Sequence, residues 1–154
     1  MTDPEDRPRS HSTRSKARKR ALDILFEADL RGDDPLQTLA VRADRADPPV
    51  RDYTAALVQG VMRHRGEIDR RISESMSRSW TIDRMPRVDR AAARIAVFEI
   101  DFGEVPDAVA VAEAVALVTE LSTDESPAYL NGLLAAVLAT KLPDAPVEPP
   151  ARSA

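Results

Sequence analysis

The sequence predicts an all-α single domain of about seven helices in two sub-bundles. Three observations carry that expectation. Apolar residues recur at three- and four-residue intervals rather than alternating, alanine is abundant, and only five glycines occur. A chain of 154 residues buries roughly 70% of its unfolded surface, enough for one core.

The first helix is expected to begin near Thr13 or Ser15, either serving as N-cap, and to run to Arg31, where Gly32 and the Asp34-Pro35 pair stop it. Its apolar face is Ala21, Leu22, Leu25, Phe26 and Leu30. Asp34 as N-cap with Pro35 in the first turn opens a short helix through Leu36, Leu39 and Ala43, and Ala46 to Pro49 is a loop. Val50, Tyr53, Leu57, Val58, Val61 and Met62 predict a helix of about four turns. Ile68, Ile72 and Met76 continue its spacing beyond Gly66, where a kink or break is expected. The serine-heavy stretch Ser73 to Ser79, ending at the single tryptophan Trp80 and a turn closed by Pro86, is the expected hinge between sub-bundles.

In the second half, Val88, Ala91, Ala92, Ile95, Phe98, Glu99 and Phe102 share one helical stripe ended by Gly103. After Val105-Pro106, the residues Val109, Ala112, Val115, Ala116, Val118 and Leu121 make a helix apolar around most of its circumference, which is expected to be central. Ser126 as N-cap and Pro127 at the first helical position open the last helix, which carries Leu130, Leu133, Leu134, Val137 and Leu138. The organisation expected is a disordered basic arm over residues 1–13, a helical domain over 14–142 with sub-bundles at about 14–79 and 80–142, and a disordered Pro-rich tail over 143–154.

Charge divides the chain. Seven of the fourteen residues from Arg7 to Arg20 are Arg or Lys and none is acidic, whereas the chain from Ala21 onward holds 15 basic against 23 acidic residues. The net charge of −4 therefore conceals two oppositely charged parts, and a polyanion is drawn to one end only. A solvated tail that aids solubility is the plainer alternative for such an end.

Several functions are excluded or unsupported. There is no cysteine, so disulfides, thiolate metal sites and cysteine nucleophiles are out, and the cytoplasm is the expected compartment. No run approaches the roughly 18 apolar residues of a membrane span, and no apolar stretch of a secretory signal follows the N-terminal basic residues. His11 and His64 lack ligand-spaced carboxylates or a relay partner, and no glycine-rich phosphate loop occurs. No cofactor or metal is implied. A helical body with a charged arm and no reactive constellation points to a binding module rather than an enzyme.

Three blocks in order then resemble the NusB family of transcription antitermination factors: Arg18-Lys19-Arg20-Ala21-Leu22-Asp23-Ile24-Leu25-Phe26-Glu27; Val88-Asp89-Arg90 leading into Arg94-Ile95-Ala96-Val97-Phe98-Glu99-Ile100; and a C-terminal run. That run holds Val105-Pro106, Glu113-Ala114-Val115, Leu121-Ser122, Asp124-Glu125-Ser126 and Tyr129-Leu130-Asn131-Gly132-Leu133-Leu134. The blocks span about residues 14 to 138, and Asn-Gly within an apolar helix is the best single marker. The resemblance implies about three helices followed by about four. It also implies pairing with NusE, a small-subunit ribosomal protein, binding of single-stranded boxA RNA in nascent ribosomal RNA leaders, and indirect association with other Nus factors and RNA polymerase. Self-association into a homodimer is a further possibility that it leaves open.

On a helix beginning near Thr13, Arg14 and Arg18 lie one turn apart on one face, with Lys16, Lys19 and Arg20 around the remainder, so these cations are candidates for the RNA backbone. The resemblance places base-reading groups at Glu125, Ser126 and Tyr129, with Arg94 bracing the RNA surface. Glu125 stands where relatives commonly have Asp. Through Phe26, Asp83 and Asp89 the family contacts NusE, and Phe26 replaces the tyrosine of some relatives. Without the resemblance, Glu125 reads as a carboxylate near a helix N-terminus, Tyr129 and Phe26 as packing, and Arg94 as a solvated arginine. Two rivals stand beside this reading: a helical homo-oligomeric scaffold with a nonspecific nucleic-acid-binding tail, and an RNA-binding module of the kind fused ahead of an RNA methyltransferase domain.

Overall fold

Local capping chemistry sets most helix ends. The computed structural model describes residues 12–46 and 48–142, and among these it holds seven α-helices, one short 3-10 turn (Ile82–Arg84) and no strand. Arg7, Arg9, His11 and the tail expected over 143–154 lie outside the described residues. Helix α1 (Thr13–Arg31) begins at Ser12, whose hydroxyl oxygen accepts the Ser15 N–H at 3.1 Å, one residue earlier than the first of the expected caps. It ends at Gly32, whose φ of 70° is costly for residues with a Cβ. Asp34 accepts the Leu36 N–H at 2.9 Å and opens α2 (Pro35–Arg45) with proline in its first turn.

Helices α3 (Asp52–Arg63) and α4 (Arg65–Ser75) are separated by one residue, His64. The expected break therefore falls ahead of Gly66. The His64 ring stacks on Phe102 with centroids 3.8 Å apart, so a contact with another helix holds the bend. Then come α5 (Arg87–Phe102), α6 (Asp107–Leu121) and α7 (Ser126–Ala139).

The central helix is α5, which packs against α1, α3, α4, α6 and α7 and buries every residue from Asp89 to Val97. This corrects the expectation for α6, which buries Ala110, Ala114, Leu117 and Val118 but leaves Val109 42% and Leu121 39% exposed. Its short alanines let it approach α5 on one side. On the other, Ala112, Val115, Ala135 and Leu138 line an open groove of about 750 Å³ between α6 and α7. Leu30, expected in the α1 apolar face, is 57% exposed, because that helix turns Ala17, Ala21, Ile24 and Ala28 inward. Gly60 lets the Phe98 ring pack against α3: a Cβ there would lie 2.2 Å from Phe98 Cζ, so the ring would have to move. One continuous apolar cluster draws on all seven helices, so α5 is a rigid support for the polar groups at its ends.

Candidate nucleic-acid interface

The basic residues of α1 divide into an outward and an inward set. Arg14 and Lys16 are exposed, and the Arg14 guanidinium lies 4.6 Å from the centroid of the Tyr53 ring. Lys19 is exposed and pairs with Glu120 of α6. Arg20 is half-buried, with its Nε enclosed and without a hydrogen-bond partner. Arg18 is 2% exposed. Its Nε donates to the Glu99 oxygens at 2.9 and 3.1 Å and its Nη2 donates to Oε2 at 2.9 Å. Arg14 and Arg18 thus both face the Tyr53 ring, at 4.6 and 5.6 Å, but only Arg14 is exposed, because Arg18 is enclosed against Glu99 of α5.

Glu99 explains that division. It is 1% exposed on the inward stripe of α5, where an unpaired carboxylate is very costly. Arg18 and the Tyr53 hydroxyl both donate to it. Burial pushes the Tyr53 phenol up to about 12, and the hydrogen bond and negative charge of Glu99 act in the same direction. For Arg18, burial alone lowers the pKa, but the bond and charge of Glu99 prevail and raise it. Ser15 donates to Glu113 of α6 at 2.8 and 2.9 Å, so the first turns of α1 are held on two helices.

At the start of α7 a second polar cluster forms. Glu125 precedes the first helical residue and is exposed, with no side-chain capping bond. Ser126, expected as N-cap and as an RNA contact, is instead the first helical residue and 2% exposed. Its hydroxyl donates to Asp89 Oδ2 at 2.9 Å, and that of Ser122 donates to Asp89 Oδ1 at 2.6 Å. Asp89, expected on the partner surface, is itself 2% exposed, because it ties the first turn of α5 to the entry of α7. Tyr129 is 37% exposed; burial raises its pKa, with a smaller contribution from Asp89. Its ring centroid is 6.5 Å from that of Trp80, which is 51% exposed. In the sequence Trp80 is legible only as a hinge marker. A lone tryptophan in a polar run is the available signal that the ring serves the surface.

Helix α6 connects the two regions. It receives α1 at Glu113 and Glu120, and the chain leaving its last turn passes through Ser122 to Ser126. The remaining candidates lie apart. Arg94, 9% exposed, donates to Asp69 of α4 at 2.9 and 3.1 Å and is a strut between α4 and α5. The Asp83 side chain is 91% exposed, and Arg90 lies between it, at 3.9 Å, and Asp29 of α1, at 2.5 Å. Phe26, half-buried, sits about one helical turn before Asp29. Phe26 and Asp83 thus stand on elements that Arg90 joins. Among the described residues no group of three or more His, Asp or Glu is arranged to hold a metal, and no helix is long and apolar enough to cross a membrane.

A model of the NusB family matches residues 15–139. A transcription antitermination protein NusB from Nocardioides sp. is 52% identical over 131 residues, covering 84% of this chain and 96% of that protein. One from Acidothermus cellulolyticus is 57% identical over 129 residues, covering 83% and 88%. In a crystal structure of the antitermination factors NusB and NusE in complex with double-stranded RNA, one chain matches with a TM-score of 0.73 at 27% identity, covering 83% of this chain and 97% of that one.

Proposed function

The chain belongs to the NusB family, and from this membership we propose that it is an RNA-binding antitermination factor. In this reading it captures single-stranded boxA RNA of nascent ribosomal RNA leaders jointly with NusE, and through that complex serves other Nus factors and RNA polymerase in the cytoplasm. Its role is binding, without catalysis. The observation that carries the reading is the pairing of an exposed cationic turn, Arg14 and Lys16, with an exposed acidic and aromatic pair, Glu125 and Tyr129, at two ends of elements that α6 joins.

The division of labour follows from exposure. Arg14 and Lys16 meet phosphates. Lys19 joins them by exchanging Glu120 for a phosphate, since an exposed ion pair is worth only about 0 to 1 kcal/mol. Arg18 contributes indirectly, because its bond to Glu99 fixes the turn from which the exposed cations project. Phosphate contacts carry no sequence, which must be read from base edges and faces. Glu125 accepts hydrogen bonds from exocyclic base amines, and Tyr129 stacks on a base. Ser126 and Asp89 hold that entry in place from beneath. NusE meets the face of Phe26 and Asp83, where a carboxylate suits a basic ribosomal protein.

Filter binding of boxA RNA and of a scrambled RNA of equal composition, with and without the NusE protein, tests the proposal. Tighter capture of boxA, strengthened by NusE, is the expected outcome. Equal retention of both RNAs in both conditions defeats sequence-selective capture.

A further inference from the structure

We propose that Trp80 is a second base-stacking residue, taking the nucleotide next to the one that lies on Tyr129. This rests on the RNA-binding reading and adds a residue to it. The indole is 51% exposed and the Tyr129 ring 37% exposed, at a centroid separation of 6.5 Å and an interplanar angle of 48°. That separation lies within the range for neighbouring rings, and both residues keep more than a third of their surface exposed. Exposed rings side by side on a folded support are how single-stranded RNA modules take successive unstacked bases.

The position of the indole is anchored. The Trp80 backbone N–H donates to the Ser77 carbonyl at 3.0 Å, and Arg84 donates to the Ser79 carbonyl at 3.4 Å, so the turn carrying the ring is closed on itself. Tyr129 stands on α7, whose entry Asp89 ties to α5. Charge around the indole also suits RNA. Arg78 and Arg84 are exposed within a few residues of it, opposed by the exposed carboxylate of Asp83. A protein partner is the other class of ligand that uses surface tryptophan, but such an anchor sits within an occluding ring of neighbours. Here the sequence neighbours Ser77, Arg78, Ser79 and Thr81 are all polar and exposed. Stacking needs only the open face.

Because Trp80 is the sole tryptophan, its emission reports its own environment. The experiment titrates the full chain with boxA RNA and follows tryptophan emission, while a parallel titration reads anisotropy of end-labelled RNA. Expected is quenching of Trp80 in step with binding, a loss of affinity of about 5- to 150-fold in Trp80→Ala, and retention of most affinity in Trp80→Phe. Circular dichroism of both variants establishes that the helices are intact. RNA that binds by anisotropy with Trp80 emission unchanged, and with Trp80→Ala as tight as the parent, overturns the inference and leaves the RNA-binding reading standing. Absence of any anisotropy change, both with and without the NusE protein, overturns both. Quenching by the NusE protein alone, with RNA affinity indifferent to Trp80→Ala, assigns the ring to the protein partner and overturns the inference.

Discussion

Arg18 and Glu99, 81 positions apart in the chain, form a buried pair with three N–H···O contacts of 2.9 to 3.1 Å. An arginine in a run of cations that reads as an RNA grip is thus a structural link between the first and fifth helices. Removing one partner leaves the other charged and enclosed, whereas replacing both with apolar groups of similar size removes the desolvation cost as well.

Arg18→Ala should therefore lower stability by about 3 to 5 kcal/mol, and the double variant Arg18→Met with Glu99→Leu should recover much of that loss. Urea unfolding followed by circular dichroism measures both. A single variant as stable as the parent would show that Arg18 is not needed inside.

Lys16→Ala should behave in the opposite way. Stability stays within about 0.5 kcal/mol of the parent, as is usual for surface changes. RNA affinity falls for boxA and scrambled RNA alike, and the dependence of log affinity on log salt becomes shallower by about 0.7 for the one phosphate that is no longer neutralised. Glu125→Ala should leave that slope almost unchanged and narrow the ratio between the two RNAs. A salt series for each variant separates the two roles.

Asp89→Ala should cost about 1 to 3 kcal/mol, since the Ser122 and Ser126 hydroxyls lose their acceptor in an enclosed place. Asp83→Lys should leave the melting temperature near that of the parent and weaken pairing with NusE, because the Asp83 side chain is 91% exposed. Thermal melts beside a pull-down with NusE distinguish two aspartates that the family resemblance places together on the partner surface.

Tyr53 supplies a pH dependence of known sign. Its phenol, ordinarily at 10.0, is pushed up to about 12 by burial and by Glu99, so the folded state favours the neutral form. Its contribution is complete below pH 10 and is lost as pH rises through about 12. The parent should lose melting temperature over that interval more steeply than Tyr53→Phe, which has no phenol to ionise. Parallel melting curves of the two proteins across alkaline pH would refute the assignment.

Features that local chemistry decides are legible in the sequence. Gly32 and Asp34-Pro35 mark two helix ends because a left-handed residue and a capped first-turn proline act within a few residues. The bend falls at His64 rather than Gly66 because its cause, the stack on Phe102, belongs to another helix. Composition makes α6 look central, but α5 packs against five other helices and buries even Asp89, Arg90 and Arg94, whose partners lie on neighbouring elements, so contacts that composition does not encode decide which helix holds the centre. For the candidate site, the charged arm is visible in composition and the α7 entry comes only from the family resemblance, whereas the exposure of each member depends on helix register. Glu99 carries a signal of its own: a carboxylate on an apolar stripe demands a buried cation, and the run Arg14 to Arg20 is rich in them.

If RNA lies across the exposed cations of α1 and the entry of α7, amide shift mapping of the isotope-labelled chain on titration with boxA RNA will locate it there. Shifts are then expected to concentrate at Arg14, Lys16, Glu125, Tyr129 and their neighbours, while Leu36 and Val41 of α2 remain still. Shifts confined to the open groove between α6 and α7, with both of those regions unmoved, would contradict this placement of the strand.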